Sequence, residues 1–168
     1  GANLGTAWRA PGYSDAGWSN GAAMLGFGDA NGVLPVTAVS NRSQYTFYFR
    51  RAFTVADPSV FTGLSLRLQR DDGAVVYLNG VELWRDNMPG GSILYNTPAA
   101  VSVAGSDENA WWTRITNAAA LVAGTNVLAV EVHQINTTSS DVAFDLELTG
   151  LTGAPPPPSL GVGDRKST

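Results

Sequence analysis

Short runs of apolar residues that alternate with polar ones recur along most of the chain, separated by turn residues, as half-buried β-strands require. The clearest pair spans residues 74–78 and 81–85 and flanks Asn79-Gly80, a dipeptide that supplies the positive φ angles of a two-residue hairpin turn. We predict strands at 45–55, 64–70, 74–78, 81–85, 111–115, 126–134 and 142–151. Their number and spacing predict an all-β protein built as an antiparallel β-sandwich.

The alternation also predicts which side chains face the core and where the connecting segments lie. Short helical turns are expected within 57–63 and 117–126, and the aromatic residues of the first 44 positions are expected to fold that segment onto a sheet. Those aromatic residues are Trp8, Tyr13, Trp18 and Phe27. The predicted core residues are Phe49, Phe53, Leu66, Leu68, Val76, Leu78, Leu128, Val130, Val132, Phe144, Leu146 and Leu148.

Composition is that of one folded domain. The chain has 168 residues, of which 44% are hydrophobic and 14% charged, enough to bury a core without metal or disulfide staples. Residues 154–168 begin with Ala154 and four prolines, which cannot join a sheet, so we expect a β-sandwich module at 1–153 and a Pro-rich linker and tail at 154–168.

Charge and residue usage exclude several classes of function. The net charge is −4 and no basic stripe exists, which argues against nucleic acid as a partner. No apolar run approaches the length of a membrane span, so no membrane insertion is expected. The absence of cysteine excludes a disulfide framework, a thiol nucleophile and thiolate metal sites.

Two long stretches resemble one known family. The segments "YFRRAFTVADPSVFTGLSLRLQRDDGAVVYLNGVELWRDNMP" and "LVAGTNVLAVEVHQINTTSSDVAFDLELTG" closely resemble the galactose-binding-like jelly-roll modules of large secreted bacterial proteins, and "AWRAPGYSDAGWSNGAAMLGFGD" is similar to the opening motif of that family. The resemblance covers about residues 5–151. It implies a jelly-roll sandwich, an extracellular or cell-surface location in bacteria, and neighbouring domains in the same polypeptide.

One departure from the family concerns the beginning of the module. Family members carry an aromatic first strand before the segment that corresponds to "GANLGTAW", whereas this sequence opens at Gly1. Either the start has been trimmed or the position of that strand is vacant. A vacancy would expose a sheet edge that accepts a strand from another chain.

Polar residues gather at one end of the predicted sandwich. Because the chain reverses at the Asn79-Gly80 turn, the loop before strand 74–78 and the loop after strand 81–85 lie at the same end. The jelly-roll topology that the resemblance implies brings the loop between the last two strands to this end too. The residues concerned are Arg70, Asp71, Asp72, Arg85, Asp86, Asn87, His133, Gln134 and Asp141.

Two interpretations of this polar end remain open. In the first, arginines pair with carboxylates and Asp or Asn side chains cap turns, which only ties the hairpin shut. In the second, Asp71, Asp72, Asp86 and Asp141 hold a hard cation, for which we predict calcium because it prefers several carboxylates and loop carbonyls. The "DDG" before "VVYLNGVELW" also resembles the lectin-like sandwich of bacterial toxins and yeast flocculins, where an Asp-Asp pair holds calcium.

Sugar binding needs an aromatic platform beside planar polar groups. Trp84, Trp111, Trp112 and Tyr95 are the candidate platform residues, and of the adjacent pair Trp111-Trp112 one must face outward if both lie in a strand. The candidate ligand-binding residues are Arg70, Asp71, Asp72, Arg85, Asn87, Trp112, His133 and Gln134.

Catalysis is not expected. A triad of His133, Ser139 or Ser140, and Asp141 lacks any nucleophile elbow or oxyanion hole, and "GFGDANG" precedes no strand-turn-helix unit that would bind a dinucleotide. The leading hypothesis is a non-catalytic carbohydrate-binding or adhesion accessory module whose partner is a cell-surface glycan. The alternative is a structural module that packs on neighbouring domains or self-assembles by strand addition.

Overall fold

The computed structural model describes residues 2–39 and 43–153, which form nine strands and three short 3₁₀ turns. The strands are β1 Leu25–Phe27, β2 Thr37–Ala38, β3 Thr46–Val55, β4 Phe61–Asp71, β5 Gly73–Leu78, β6 Val81–Asp86, β7 Trp112–Thr116, β8 Gly124–His133 and β9 Val142–Thr152. The 3₁₀ turns are Ala7–Arg9, Pro58–Val60 and Gly105–Asn109. The predicted linker and tail at 154–168 lie outside the described residues.

The strands form two sheets. One has the order β2-β1-β9-β4-β7, and the other has the order β3-β8-β5-β6. Every pair is antiparallel except the short β1–β2 pair. The prediction of an all-β sandwich is therefore confirmed.

The predicted strands are confirmed to within a few residues at each end. At the β5–β6 turn, Asn79 and Gly80 have φ angles of 52° and 85°, as the Asn-Gly signal indicates. The 57–63 segment contains the 3₁₀ turn Pro58–Val60, capped by the Asp57 carboxylate on the Ser59 N–H. Residues 117–123 form no helix. That segment contains one turn, in which the Leu121 N–H donates to the Ala118 carbonyl.

The main core lies between the two sheets, and all twelve predicted core residues belong to it or pack against it. Leu66, Leu68 and Val76 are fully buried in the middle strands β4 and β5. Phe53, on the edge strand β3, is only half-buried, as are the leucines of β9 that face it. The core is therefore less completely covered on the side where β3 and β9 approach each other.

The N-terminal segment covers the outer face of the four-stranded sheet. Trp8 is fully buried there against Val75, Tyr77 and other side chains of that face, and Tyr13 and Trp18 pack around the same cluster. The expectation that these aromatics fold onto a sheet is confirmed. Both faces of β5 are consequently buried along its whole length.

Phe27 differs from the other aromatic residues of this segment because it lies in β1 and enters the main core, 5.8 Å from the Phe47 ring.

Within the described residues, no helix is both long and apolar enough to cross a membrane.

Candidate functional site

The polar end is built where β4 passes into β5 and where β8 ends. The strand registers place Gly73 opposite His133 on β8, and Asp71 opposite Ala143 on β9. This pairing brings together Asp71, Asp72, Asn87, His133 and Gln134, as predicted for this group.

Asp72 ties two loops to the β4–β5 connection. Its Oδ1 accepts the Val103 N–H at 2.6 Å and its Oδ2 accepts the Ile135 N–H at 2.7 Å. Asn87 acts in the same way, since its side-chain amide donates to the carbonyls of Asp72 and Val101. Both oxygens of the Asp72 carboxylate therefore accept hydrogen bonds from backbone N–H groups, which is the arrangement expected of a turn-capping residue.

Asp71 differs from Asp72 because one of its carboxyl oxygens lacks a hydrogen-bond partner. Its side chain is buried, and its Oδ2 has no hydrogen-bond partner. Burial raises the pKa of the Asp71 carboxyl to about 9, and the neighbouring carboxylates of Asp72, Asp141 and Glu108 contribute to the same shift. Asp71 is therefore protonated near neutral pH.

His133 and Gln134 hold neighbouring segments rather than face solvent. His133 Nδ1 lies 2.8 Å from the Thr97 carbonyl, so this nitrogen must carry the proton of that hydrogen bond. Gln134 donates from Nε2 to the Asp71 carbonyl at 3.1 Å. Both side chains are buried, and His133 fixes the position of the loop that contains Thr97.

The arginines predicted at this end have other partners. Arg70 Nε and Nη2 both contact Asp86 Oδ2, at 2.7 and 2.6 Å, and the guanidinium lies 5.3 Å from the Trp112 ring centre. Arg85 pairs with Glu82 through two hydrogen bonds and donates to the carbonyl of Pro89. These contacts match the interpretation in which arginine–carboxylate pairs tie the hairpin shut.

The predicted calcium ligands have different partners in the structure. Among residues 2–39 and 43–153, no three His, Asp or Glu side chains have the spacing to hold a metal ion. Asp86 is engaged by Arg70, Asp72 is engaged by backbone N–H groups, and Asp141 is only half-buried beside Ser140. Calcium binding by Asp71, Asp72, Asp86 and Asp141 therefore stays a prediction.

A second polar site lies on the outer face of the four-stranded sheet. We call it the outer groove; it has a volume of about 370 Å³. Its lining residues are Asn3, Gly5, Thr6, Arg9, Tyr48, Ile93, Leu94, Tyr95, Asn96 and Glu131. The N-terminal segment forms one wall, residues 93–96 form the other, and β3 and β8 form the floor.

Glu131 is the buried anchor of the outer groove. Its Oε1 accepts hydrogen bonds from Arg9 Nη2 at 2.9 Å and from the Tyr77 hydroxyl at 2.6 Å. Its Oε2 lies 3.4 Å from His133 Nε2. The Arg9 guanidinium is 4.1 Å from the Tyr77 ring centre, so it is fixed from two sides.

Aromatic side chains line the groove beside this ion pair. Tyr48 lies opposite Glu131 in the β3–β8 register, and its ring stacks on Tyr95 with a centroid distance of 6.5 Å. Burial, and then the Glu131 carboxylate, raise the pKa of Tyr48 to about 12, so its hydroxyl stays protonated. The Thr46 hydroxyl donates to the Tyr95 carbonyl, which holds this loop against β3.

Of these groove residues, Tyr95 was predicted from the sequence as a platform residue, whereas Arg9, Tyr48 and Glu131 were not. A signal existed: Glu131 stands between Val130 and Val132, which face the main core, so alternation places it on the outer face. The other platform candidates lie elsewhere. Trp84 packs on the core, Trp111 is half-buried under Arg67, and Trp112 is 38% exposed on β7.

Comparisons with known proteins add little. No protein-family model matches the chain, and no curated protein sequence matches it. Among solved structures, the chain is similar to a β-D-mannosidase from Dictyoglomus thermophilum, with 17% sequence identity and a TM-score of 0.35. The similarity covers 55% of this chain and 9% of the mannosidase chain, and at this TM-score it carries no argument about fold or activity.

Proposed function

We propose that the protein is a non-catalytic carbohydrate-binding accessory module and that the outer groove is its ligand site. The observation that carries this proposal is the combination, in one groove of about 370 Å³, of a tyrosine stack with a fixed arginine and two asparagines. Sugars are recognised by aromatic rings against their apolar faces and by planar polar side chains on their hydroxyls.

The groove is held in shape before any ligand binds. Glu131 and Tyr77 fix the Arg9 guanidinium, while Thr46 and His133 hold the carbonyls of Tyr95 and Thr97. Preorganised side chains lose little conformational entropy on binding, which favours recognition of small, weakly bound ligands. In this proposal, His133 is a positioning residue for the 93–97 loop rather than a ligand contact.

The composition of the groove supports a binding role without catalysis. Glycoside hydrolysis in most families needs two carboxyl groups on opposite sides of the scissile bond. Glu131 is the single carboxylate among the described residues that line the groove, and it is already engaged by Arg9 and Tyr77.

We further infer that the sandwich is of the jelly-roll type. Leaving β2 aside, the sheets read β1-β9-β4-β7 and β3-β8-β5-β6, so the chain crosses repeatedly from one sheet to the other. This order supports the eight-strand, double Greek-key arrangement. The proposed location is extracellular or cell-surface, in a bacterial multidomain protein, where weak sugar binding gains from multivalency.

A glycan array with the folded protein tests the proposal, with and without calcium. Tyr95→Ala should remove binding of any glycan the wild type retains, because it removes half of the tyrosine stack. Trp112→Ala is the matched control, since it removes an exposed aromatic side chain from the opposite sheet.

Both variants must give the circular dichroism spectrum of the wild type. The absence of glycan binding by the folded wild type would reject the carbohydrate proposal. Retained binding by Tyr95→Ala, with loss in Trp112→Ala, would reject the groove as its site.

A further inference from the structure

The strand β9 has one edge that the rest of the described chain covers only at its start. Along one side, β9 pairs with β4 from Ala143 to Thr152. Along the other side, β1 pairs only with residues 142–144. Within residues 2–39 and 43–153, no strand pairs with the second side of residues 145–152. The free edge is about 25 Å long at the usual rise of a strand.

The hydrogen-bonding groups at this edge can be assigned from the pairing. In an antiparallel ladder, alternate residues direct their N–H and C=O groups to the same side. The Leu151 carbonyl points towards β4, where it accepts a hydrogen bond from the Thr62 side-chain hydroxyl at 3.1 Å. The even-numbered residues Leu146, Leu148 and Gly150 therefore present their backbone groups to the free edge. Within residues 2–39 and 43–153, the Leu146 N–H is the only one of these groups with a hydrogen-bond partner, the Asp145 carboxylate at 2.7 Å.

An apolar cavity opens beside this edge, between β9 and the edge strand β3 of the other sheet. Its volume is about 360 Å³. The residues around it are Arg51, Phe53, Val55, Phe61, Leu64, Leu121, Leu128, Leu146, Leu148 and Gly150. Phe53, Leu146 and Leu148 are half-buried here, although the same core is fully buried in β4 and β5. Apolar side chains from an added strand would complete this part of the core.

The charge on the edge indicates what kind of strand fits. Asp145 and Glu147 lie on the outer face of β9, where Glu147 pairs with Arg67 at 2.7 Å. Asp145 has no basic partner among the described residues, and its pKa is raised by partial burial and by Glu147. A basic side chain on the outer face of an added strand would therefore form an ion pair with the Asp145 carboxylate.

We propose that the free edge of β9 accepts an extended segment of another polypeptide, with apolar residues that enter the cavity and alternate basic residues that face Asp145. Backbone hydrogen bonds to Leu148 and Gly150 would supply affinity, and the cavity would select side chains at every second position. This interaction is separate from the outer groove, which lies on the other sheet.

The test uses the full chain, labelled with ¹⁵N, and a synthetic peptide in which valine alternates with lysine and threonine. A peptide with proline in place of its central valines is the control, because proline removes the backbone donors needed for pairing. We expect the pairing peptide to slow hydrogen exchange of the Leu148 and Gly150 amides by at least about tenfold. The amides of Thr149 and Leu151, which face β4, should change much less.

Two variants test the charge argument. Asp145→Asn, which keeps an acceptor for the Leu146 N–H, should weaken binding of the lysine peptide by up to about fivefold at low salt. Glu147→Gln is the matched control and should weaken it less, because Glu147 is already paired with Arg67.

Three results would overturn the proposal. The first is unchanged exchange at Leu148 and Gly150 under saturating peptide. The second is equal binding of the proline peptide. The third is a dimer in sedimentation whose Leu148 and Gly150 amides are protected without peptide, because a second copy would then occupy the edge.

Discussion

Asp71→Asn should make the protein less sensitive to rising pH. The folded state holds the Asp71 carboxyl with a pKa of about 9, whereas the unfolded chain returns it to 3.8. Between these two values the folded state keeps a proton that the unfolded state releases. Unfolding therefore becomes more favourable as the pH rises, and the stabilisation present below pH 3.8 is lost progressively up to about pH 9.

The size of this effect follows from the proton linkage. One proton released on unfolding changes the free energy of unfolding by about 1.4 kcal/mol per pH unit. Between pH 5 and pH 8 the wild type should thus lose up to about 4 kcal/mol through Asp71. Asparagine has the same shape and no titration, so in Asp71→Asn this contribution disappears. The new amide adds a roughly constant offset of about 1 kcal/mol if it lacks a partner.

Urea unfolding followed by tryptophan fluorescence at several pH values between 5 and 8 measures the difference in slope. Asp57→Asn is the control, because Asp57 is exposed and its hydrogen bonds from Ser59 lower its pKa, so it stays ionised in this range. Parallel stability curves for wild type and Asp71→Asn would show that Asp71 is ionised in the folded state and would refute the reasoning.

Three further predictions concern the core, the hairpin turn and calcium. Leu66→Ala should cost about 3–5 kcal/mol, whereas Leu148→Ala, opposite it in the β4–β9 register, should cost less than about 2 kcal/mol because that side chain is only half-buried. Equal losses in urea unfolding would contradict the incomplete cover of the β9 side. Asn79→Ala should cost about 2 kcal/mol in urea unfolding, because alanine is strained at the positive φ of this position and lacks the three side-chain hydrogen bonds to β8 and the preceding loop. Asn79→Gly should cost less in the same assay, because glycine adopts a positive φ without strain. Calcium binding at the polar end predicts a higher melting temperature in millimolar calcium than in chelator, and Asp72→Asn should reduce that gain; equal wild-type values would leave Asp72 as a turn cap.

The sequence by itself determined the strands β3 to β9, the hairpin turn and the inward set of apolar side chains, whereas the short strands β1 and β2 were not predicted. These features depend on local rules, since the two-residue period of a strand and the positive φ of Asn79 and Gly80 are encoded by neighbouring residues. The polar end could also be foreseen in part, because a hairpin necessarily brings its two outer loops together. That is why Asp72 and Asn87 were found together.

Only the tertiary structure decided the partners of each polar group and the two surfaces proposed for binding. From the sequence, the Asp86 carboxylate could bind either a cation or an arginine. In the folded chain it pairs with Arg70, because the end of β4 lies close to the end of β6. Arg9 met Glu131 because the N-terminal segment folds over the outer sheet, a contact between residues 122 positions apart. The free edge of β9 likewise depends on how short β1 is, since β1 pairs with only three residues of β9. Such long-range contacts are set by the packing of whole elements, which no local pattern specifies.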